Sequence, residues 1–322
     1  MIKILKSNKL ISSLLIILCI FFVIKPKVCS NSCLNAISVW ALNILPVMLP
    51  FFILTRLIVE ISTPKSNILD KFFSKAYNVP TNSLYIFFLS ALSGYPMGAK
   101  LICSIYEQGK INKSEAKKML SFCSISGPMF MIGTVGVAIL KSYKAGLIIL
   151  ISNIIGALIN GLFFRGKKQE KKELYISTTR KDNILSDAVY DSLNSILMVG
   201  GFIVFSFIII DALKYTNILL YISKPICWVL NNNIDINVVQ SILGGILEIT
   251  RGIIELNSTC LSLEIKTIIC SGLIGFGGIC IMLQSLAFLK KLNLNFKNML
   301  IQKLSQGIIS ALISFILVFI VF

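Results

Sequence analysis

The side chains in this sequence most able to do chemistry are a few charged residues inside apolar segments. Glu248 lies in the stretch LEITRG with Thr250 and Arg251 beside it, and Lys100 is the one lysine of the apolar segment 83–105. A carboxylate in hydrocarbon is costly and is a functional-site candidate by default, although a local pair of Glu248 and Arg251 at i, i+3 would satisfy both charges structurally. Lys100 has two interpretations: a contact to an anion or to Glu248, or a lysine that extends to the membrane interface.

Breaks in four apolar segments are the second signal. Segment 83–105 is interrupted at Ser93-Gly94-Tyr95-Pro96 and segment 114–140 at Ser126-Gly127-Pro128. Each half of segment 83–105 is too short to cross a hydrocarbon core of about 30 Å at 1.5 Å per residue. This predicts a re-entrant hairpin or a broken helix, whose freed amides and positive helix end suit a polar or anionic ligand group.

The second half has matching segments at 241–256 and 264–289. Unwound backbone at membrane depth is tolerated where it lines a cavity or is buried in protein, so we take the breaks and the polar residues near them as candidates. Glycines also simply permit close helix packing, and hydrogen bonds in packing explain Ser124 and Asn153 equally well. The candidate solute-binding residues are Ser93, Gly94, Tyr95, Pro96, Lys100, Ser126, Gly127, Pro128, Glu248, Thr250, Arg251, Gly275, Gly277, Gly278 and Gln284.

Several functional classes are excluded or disfavoured. The sequence has no histidine, so histidine-based triads, zinc sites and proton relays within the chain are excluded. No phosphate-binding glycine motif is present, and the scattered acids Asp191, Asp211 and Glu248 form no convincing catalytic or metal cluster. We therefore expect no enzyme activity, cofactor or metal. Cys29 and Cys33 lie in a polar connection, as unremarkable thiols or as a disulfide, without the second pair that a metal site needs.

Composition places the chain in a membrane. Of 322 residues 56% are hydrophobic and 14% charged, against about 25% charged in soluble domains, and the mean hydropathy is +0.85. This predicts an all-α polytopic protein with seven to nine hydrophobic segments and the lipid bilayer as a partner.

Charge placement predicts the topology. The net charge of +17 lies mostly in short connections, which is typical of the positive-inside rule and not of nucleic-acid binding. We predict a cytoplasmic N-terminus and cytoplasmic positions for all five basic connections, which are 1–9, 62–82, 106–118, 165–185 and 290–303, the last including Lys303.

The order of segments predicts an internal duplication. We expect an uncleaved helix at 10–24 within an N-terminal unit 1–33, and a helix at 34–61 kinked by Pro46 and Pro50. A first repeat spans 34–164, a basic cytoplasmic loop 165–185, and a second repeat 186–322. Each repeat makes three crossings, so the two have inverted topology, as in secondary transporters with paired broken helices.

A family resemblance rests on these same motifs. The stretch LSGYPMGAKLICSIYEQGKINKSEAKKMLSFCSISGPMFMIGTVG, with GGILEITRGI and GLIGFGGICIMLQS in the second half, resembles the YlbJ-type sporulation integral membrane proteins of the nucleoside-recognition, or Gate, domain family. The resemblance implies an endospore-forming bacterium, a role in spore envelope and cortex formation, and kinship with nucleoside transporters and the gate of ferrous-iron permeases. It implies motif residues at 93–100, 126–128, 248–252 and 275–278. Contacts that would stack a base or hold a ribose are not identifiable.

Two functions are expected from these observations. One is a transporter-like permease that moves a small polar or anionic solute across the cell membrane of the sporulating cell. The alternative is a non-transporting scaffold or regulator of spore assembly that retains the fold, with other sporulation membrane proteins as partners.

Overall fold

The fold is helical, as predicted. A computed structural model describes residues 2–61, 67–166, 183–231, 234–292 and 294–321, and no β-strand occurs in that part. Many large apolar side chains remain exposed on the helices, such as Val23, Leu42 and Phe319, and a lipid environment accounts for such apolar surfaces. Five helical stretches in the described residues are long and apolar enough to cross a membrane: Pro26–Ile58, Tyr143–Phe163, Ile184–Tyr215, Leu263–Phe288 and Phe296–Val321.

The first half begins with long helices and continues with short ones. Its elements are α1 (Ile2–Ile24), α2 (Pro26–Val39), the π-helical turn π1 (Trp40–Ile44), α3 (Leu45–Ile61), α4 (Ile68–Tyr77), α5 (Ser83–Ser93), α6 (Met97–Glu107), α7 (Lys113–Cys123), the π-helix π2 (Phe130–Ile139) and α8 (Tyr143–Phe163).

The second half follows a similar order after the central loop. Its elements are α9 (Ile184–Tyr215), α10 (Ile218–Val229), α11 (Ile236–Leu247), α12 (Ile249–Asn257), α13 (Leu263–Phe276), α14 (Gly278–Phe288), a 3₁₀ turn (Lys290–Leu292) and α15 (Phe296–Val321). Residues 167–182 of the predicted basic loop lie outside the described residues.

The same sequence of elements occurs in both halves. In each half a long helix and a short helix come first. They are followed by a pair of short helices (α5–α6 and α11–α12), a broken helix (α7–π2 and α13–α14) and a final long helix (α8 and α15). The short helices α4 and α10 were not predicted. The inverted relation of the halves stays a prediction.

One predicted boundary was wrong. We expected a polar connection at 25–33 and a helix from 34, but α2 begins at Pro26 and continues through π1 into α3. Proline is favoured in the first turn of a helix because its missing N–H is not needed there. Cys29 and Cys33 therefore lie inside a helix, and both are free thiols.

Small residues let the long helices approach closely. A Cβ atom on Gly200 of α9 would lie 2.7 Å from the Trp40 ring, and one on Gly156 of α8 would lie 2.3 Å from Ser310 Oγ of α15. The Trp40 indole also donates a hydrogen bond to Ile196 O at 3.2 Å. Contacts of this kind are typical of helix association in membranes, and they hold the two halves together along their long helices.

Four of the five basic connections contact one another at one end of the molecule. Asn78 donates to Gly166 O at 3.0 Å, Lys118 donates to Asn78 O at 3.1 Å, and Lys291 pairs with Glu107 at 3.1 Å. The predicted topology requires these connections to share a side of the membrane, and their contacts agree with that requirement.

The turns that follow π2 and α12, which the predicted topology places on the opposite side of the membrane, also lie together. Lys266 donates to Asn257 O at 2.9 Å, and Asn257 donates to Ile139 O at 3.0 Å. These bonds join the ends of α12 and π2 to the start of α13.

Candidate functional site

Three of the four predicted breaks, together with the helix that follows the fourth, line one small cavity, which we call the central cavity. It is lined by Tyr95 from the turn between α5 and α6, Ser126 from the break before π2, Glu248 and Thr250 from the α11–α12 turn, and Gln284 from α14. Its volume is about 40 Å³, which gives room for a few water molecules. The remaining wall is apolar and consists of Ile44, Met48, Phe130, Val199, Ile203, Ile249 and Ile281.

The two helix pairs α5–α6 and α11–α12 are short hairpins. Each helix has 9 to 12 residues, which is about half the length needed to cross the hydrocarbon core. A Cβ atom on Gly252 of α12 would lie only 2.2 Å from Gly245 Cα of α11, so the arms of the second hairpin pack backbone against backbone.

The first two breaks also pack directly on each other. A Cβ atom on Gly94 would lie 2.4 Å from Gly127 N, and Gly94 has a φ of +75°. Ser93 donates to Leu89 O at 2.7 Å within its own helix, while Pro96 stands at the start of α6 and Pro128 begins the helical turn that leads into π2. These candidates shape the backbone around the cavity, which Tyr95 and Ser126 line.

Glycine serves a similar purpose at the last break. Gly277 and Gly278 have φ values of +85° and +68°, a conformation that glycine adopts without the steric cost of a Cβ atom. Gly275 packs against α15, where a Cβ atom would lie 2.7 Å from Ser310 Oγ. The three glycines thus permit the interruption of α13–α14 and its close contact with α15.

Glu248 caps a helix at the centre of the protein. It is 3% exposed and its carboxylate accepts hydrogen bonds from Thr250 N at 3.1 Å and Arg251 N at 2.7 Å. A carboxylate satisfies the free amides of a helix N-terminus and complements its positive end. Glu248 therefore has both a structural partner and a position on the cavity wall.

The side-chain pair of Glu248 and Arg251, which was the structural alternative to a functional role for Glu248, does not occur among the ion pairs of the described residues. The Arg251 guanidinium instead bonds to Asp211 Oδ1 at 2.9 Å and to Glu255 Oε1 at 2.5 Å. Glu248 is the N-cap of α12 and its backbone is not helical. The i, i+3 geometry of a continuous helix therefore does not hold between Glu248 and Arg251, and the Arg251 side chain reaches α9. Asp211 is thus committed to an ion pair and does not reach the cavity.

Lys100 lies apart from the cavity. It is partly buried, its Nζ donates to Ser195 Oγ at 3.1 Å, and it lies 5.9 Å from the Phe288 ring centroid. The proposed contact with Glu248 was wrong, because α6 presents Lys100 to α9 and α14.

The sequence interpretation missed Lys303, the most buried cation among the residues that the structure describes. We counted Lys303 in a cytoplasmic connection, but α15 begins at Phe296, and Lys303 lies two turns inside it with 2% exposure. Its Nζ donates to Tyr95 Oη at 2.6 Å, Ser124 O at 2.5 Å and Gln306 Oε1 at 2.8 Å. Lys303 therefore contacts both of the first two breaks, through the Tyr95 hydroxyl and the Ser124 carbonyl.

A signal for Lys303 exists in the sequence. Lys303, Gln306, Ser310 and Ser314 follow one another at spacings of three and four residues, which places them on one face of a helix. All four are buried. A polar stripe that continues into an apolar helix indicates an inward-facing lysine, whereas an interfacial lysine lacks such a stripe.

Comparison with curated proteins gives one match. The chain is 27% identical over 330 residues, covering 94% of the chain and 80% of the relative, to the sporulation integral membrane protein YlbJ of Bacillus subtilis (strain 168). This similarity confirms the resemblance to YlbJ-type proteins. No family model matches, and no solved structure matches.

The YlbJ similarity extends across almost the whole helical architecture. Because it covers 94% of the chain, it includes both hairpins and both broken helices. The integral membrane character named for YlbJ agrees with the five long apolar helices found here.

Proposed function

We propose that this protein is an integral membrane protein of sporulation that acts as a transporter-like permease for a small polar or anionic solute. The observation that carries the proposal is the meeting of four interrupted helices around a cavity that contains Glu248, Thr250, Ser126 and Gln284. Secondary transporters bind their solutes where such interruptions meet. The sporulation role is proposed from the similarity to YlbJ.

The same proposal includes an arrangement in the membrane. The two halves form inverted repeats, and the end where Asn78, Lys118 and Gly166 meet faces the cytoplasm together with the N-terminus. The support is the excess of lysine and arginine in these connections, which is the pattern of cytoplasmic loops. The central cavity, at about 40 Å³, is too small for a solute beyond a few atoms, so this conformation is a closed one in the proposed cycle.

A scaffold or regulator of spore assembly is the second candidate. It is favoured by the state of the intramembrane charges, which are largely satisfied within the protein. Arg251 is held by Asp211 and Glu255, and Glu248 caps a helix. A scaffold needs the fold but no open path through it.

A variant that fills the cavity separates the two candidates. Val199 of α9 lines the central cavity, and Val199→Phe adds a ring that the cavity cannot hold together with a solute. We expect a deletion strain complemented with Val199→Phe to form few heat-resistant spores with a thin cortex, at normal abundance of the protein in the membrane. Normal spores at that abundance would instead support the scaffold.

The second test removes the charge of Glu248. Glu248→Gln keeps an oxygen for the helix cap, so we expect a folded protein and impaired spore formation. Glu107→Gln is the matched control, because Glu107 forms an exposed pair with Lys291 and such pairs contribute little. Equal rescue by both variants would show that the Glu248 charge is not used.

A further inference from the structure

A second and larger cavity opens beside α7 and α15, at the end where the basic connections meet. We call it the basic vestibule; its volume is about 320 Å³ and its described lining includes Lys117, Lys118, Ser124, Lys303 and Gln306. That volume lies at the lower end of the range for small-molecule sites. Three lysines and no Asp or Glu occur among the described lining residues, so the cavity favours an anionic occupant.

Lys303 forms the floor of the basic vestibule. An ammonium group has three donors and no acceptor, and the three closest partners of Lys303 Nζ are Tyr95 Oη, Ser124 O and Gln306 Oε1. Ser124 is the C-cap of α7, so its carbonyl also supplies the negative end of a helix dipole. The three oxygen acceptors therefore match the three N–H donors of a protonated lysine.

The positive charge of Lys303 has no carboxylate partner among the described residues. All of its hydrogen bonds run to uncharged oxygens, including a longer one to Gly275 O at 3.5 Å. A buried charge is costly unless it is paired. A negatively charged ligand in the adjoining basic vestibule would provide the missing pair.

Two buried polar atoms beside Lys303 have no hydrogen-bond partner in the described part of the protein. They are Gln306 Nε2 and Ser124 Oγ, and both residues line the basic vestibule. Lys303 needs an oxygen acceptor, so the Gln306 amide is oriented with Oε1 toward Lys303. Its Nε2 therefore points away and remains a donor without a partner in the described part of the protein. Because Lys303 bonds to Gln306 Oε1, it also polarises that amide and strengthens Nε2–H as a donor.

We propose that the floor of the basic vestibule binds the phosphate group of a small solute or of a lipid headgroup. Gln306 Nε2 and Ser124 Oγ donate to the phosphate oxygens, and the Lys303 ammonium behind them balances the negative charge. Lys117 and Lys118 line the same cavity and attract the anion to it. The site deepens the proposed function, on which it rests only for the idea that the bound solute is transported.

The test uses the full chain in maltoside detergent micelles, which contain no phosphate group, with inorganic phosphate as the probe. Binding to the folded state raises the unfolding midpoint with ligand concentration, and we expect a saturable rise at constant ionic strength set with chloride. Gln306→Glu replaces the donor by a carboxylate that pairs with Lys303. We expect it to melt no lower than wild type without phosphate and to bind phosphate at least ~10-fold more weakly, as the loss of a hydrogen bond to a charged group implies.

Two further variants complete the test. Ser124→Ala removes the second donor and is expected to weaken phosphate binding by about 10-fold. Lys297→Gln is the matched control, since Lys297 is an exposed residue of the same helix and its loss should leave binding unchanged. An equal loss in Lys297→Gln would assign the effect to general surface charge and overturn the site.

Phosphatidylglycerol added to the micelles distinguishes a lipid headgroup from a free solute as the source of the phosphate group. Stabilisation by this lipid that disappears in Gln306→Glu supports the site with a headgroup as its occupant, whereas stabilisation by free phosphate alone supports a solute. No stabilisation by either, or the same response in Gln306→Glu and wild type, overturns the proposal. These results do not depend on sporulation, so they are distinguishable from the outcome of Val199→Phe.

Discussion

Replacement of Gly94 by alanine tests whether the first two helix breaks are packed as the structure has them. Gly94 combines a φ of +75° with a ψ of −169°, a region that is essentially restricted to glycine and costs other residues about 1–3 kcal/mol. The added Cβ atom would also lie 2.4 Å from Gly127 N and 2.9 Å from Gly127 Cα. These neighbours are backbone atoms, so a rotamer change cannot relieve the overlap.

The two effects add to a large destabilisation. Forcing an extra carbon into a packed interior costs about 1–3 kcal/mol, so Gly94→Ala should lower the free energy of unfolding by about 2–6 kcal/mol in total. Gly109→Ala is the first control, because Gly109 has a φ of +69° but no atom within 4 Å of its Cβ position. It should lose only the conformational part, about 1–2 kcal/mol.

Gly201→Ala is the second control. Its Cβ position is open and its backbone is helical, so alanine should be neutral or stabilise the protein by up to about 1 kcal/mol. The assay is thermal unfolding of the three purified variants in one detergent, with their midpoints compared with wild type. If the unfolding midpoint of Gly94→Ala equals that of Gly109→Ala instead of lying well below it, the close contact of the two breaks is refuted.

Three other predictions concern the second half and the topology. Gly252→Ala, whose new Cβ would lie 2.2 Å from Gly245 Cα, should disrupt the second hairpin and place the unfolding midpoint below those of wild type and Gly201→Ala; a midpoint equal to wild type would contradict the packing of its arms. Arg251→Gln leaves Asp211 without its cation, whereas Glu255 keeps its ion pair with Lys214; it should destabilise the protein by about 1–2 kcal/mol, less than for a fully buried pair because these groups are partly exposed, and equal melting with wild type would rule out a contribution of the network. A membrane-impermeant maleimide should label the exposed Cys260 in intact cells, whereas the double variant Cys260→Ser/Lys297→Cys should be labelled only after permeabilisation, and the reverse pattern would invert the proposed topology.

The backbone breaks could be predicted because their causes are local. Gly94 with Pro96, and Gly127 with Pro128, interrupt helices through φ preference and missing donors, whatever surrounds them. The same local logic placed a break near Gly277. The all-α class followed from the long apolar segments, which leave the backbone no polar partner except itself in lipid.

Side-chain partners could not be predicted in the same way. Lys100 contacts Ser195 of α9, and Arg251 contacts Asp211 of the same helix, because tertiary packing brought α9 beside them. Lys303 was assigned to a connection because the positive-inside rule counts lysines by their distance from an apolar segment. That rule contains no information about which face of a helix a lysine occupies.

Lys303 also has a mechanical consequence for the two halves. It belongs to α15 in the second half, yet two of its three closest hydrogen bonds run to Tyr95 and Ser124 in the first. A movement that separates the two halves at the central breaks must break both of these hydrogen bonds at once. An anion that draws Lys303 toward the basic vestibule would weaken these two hydrogen bonds. Occupancy of the basic vestibule would then make the central cavity easier to open.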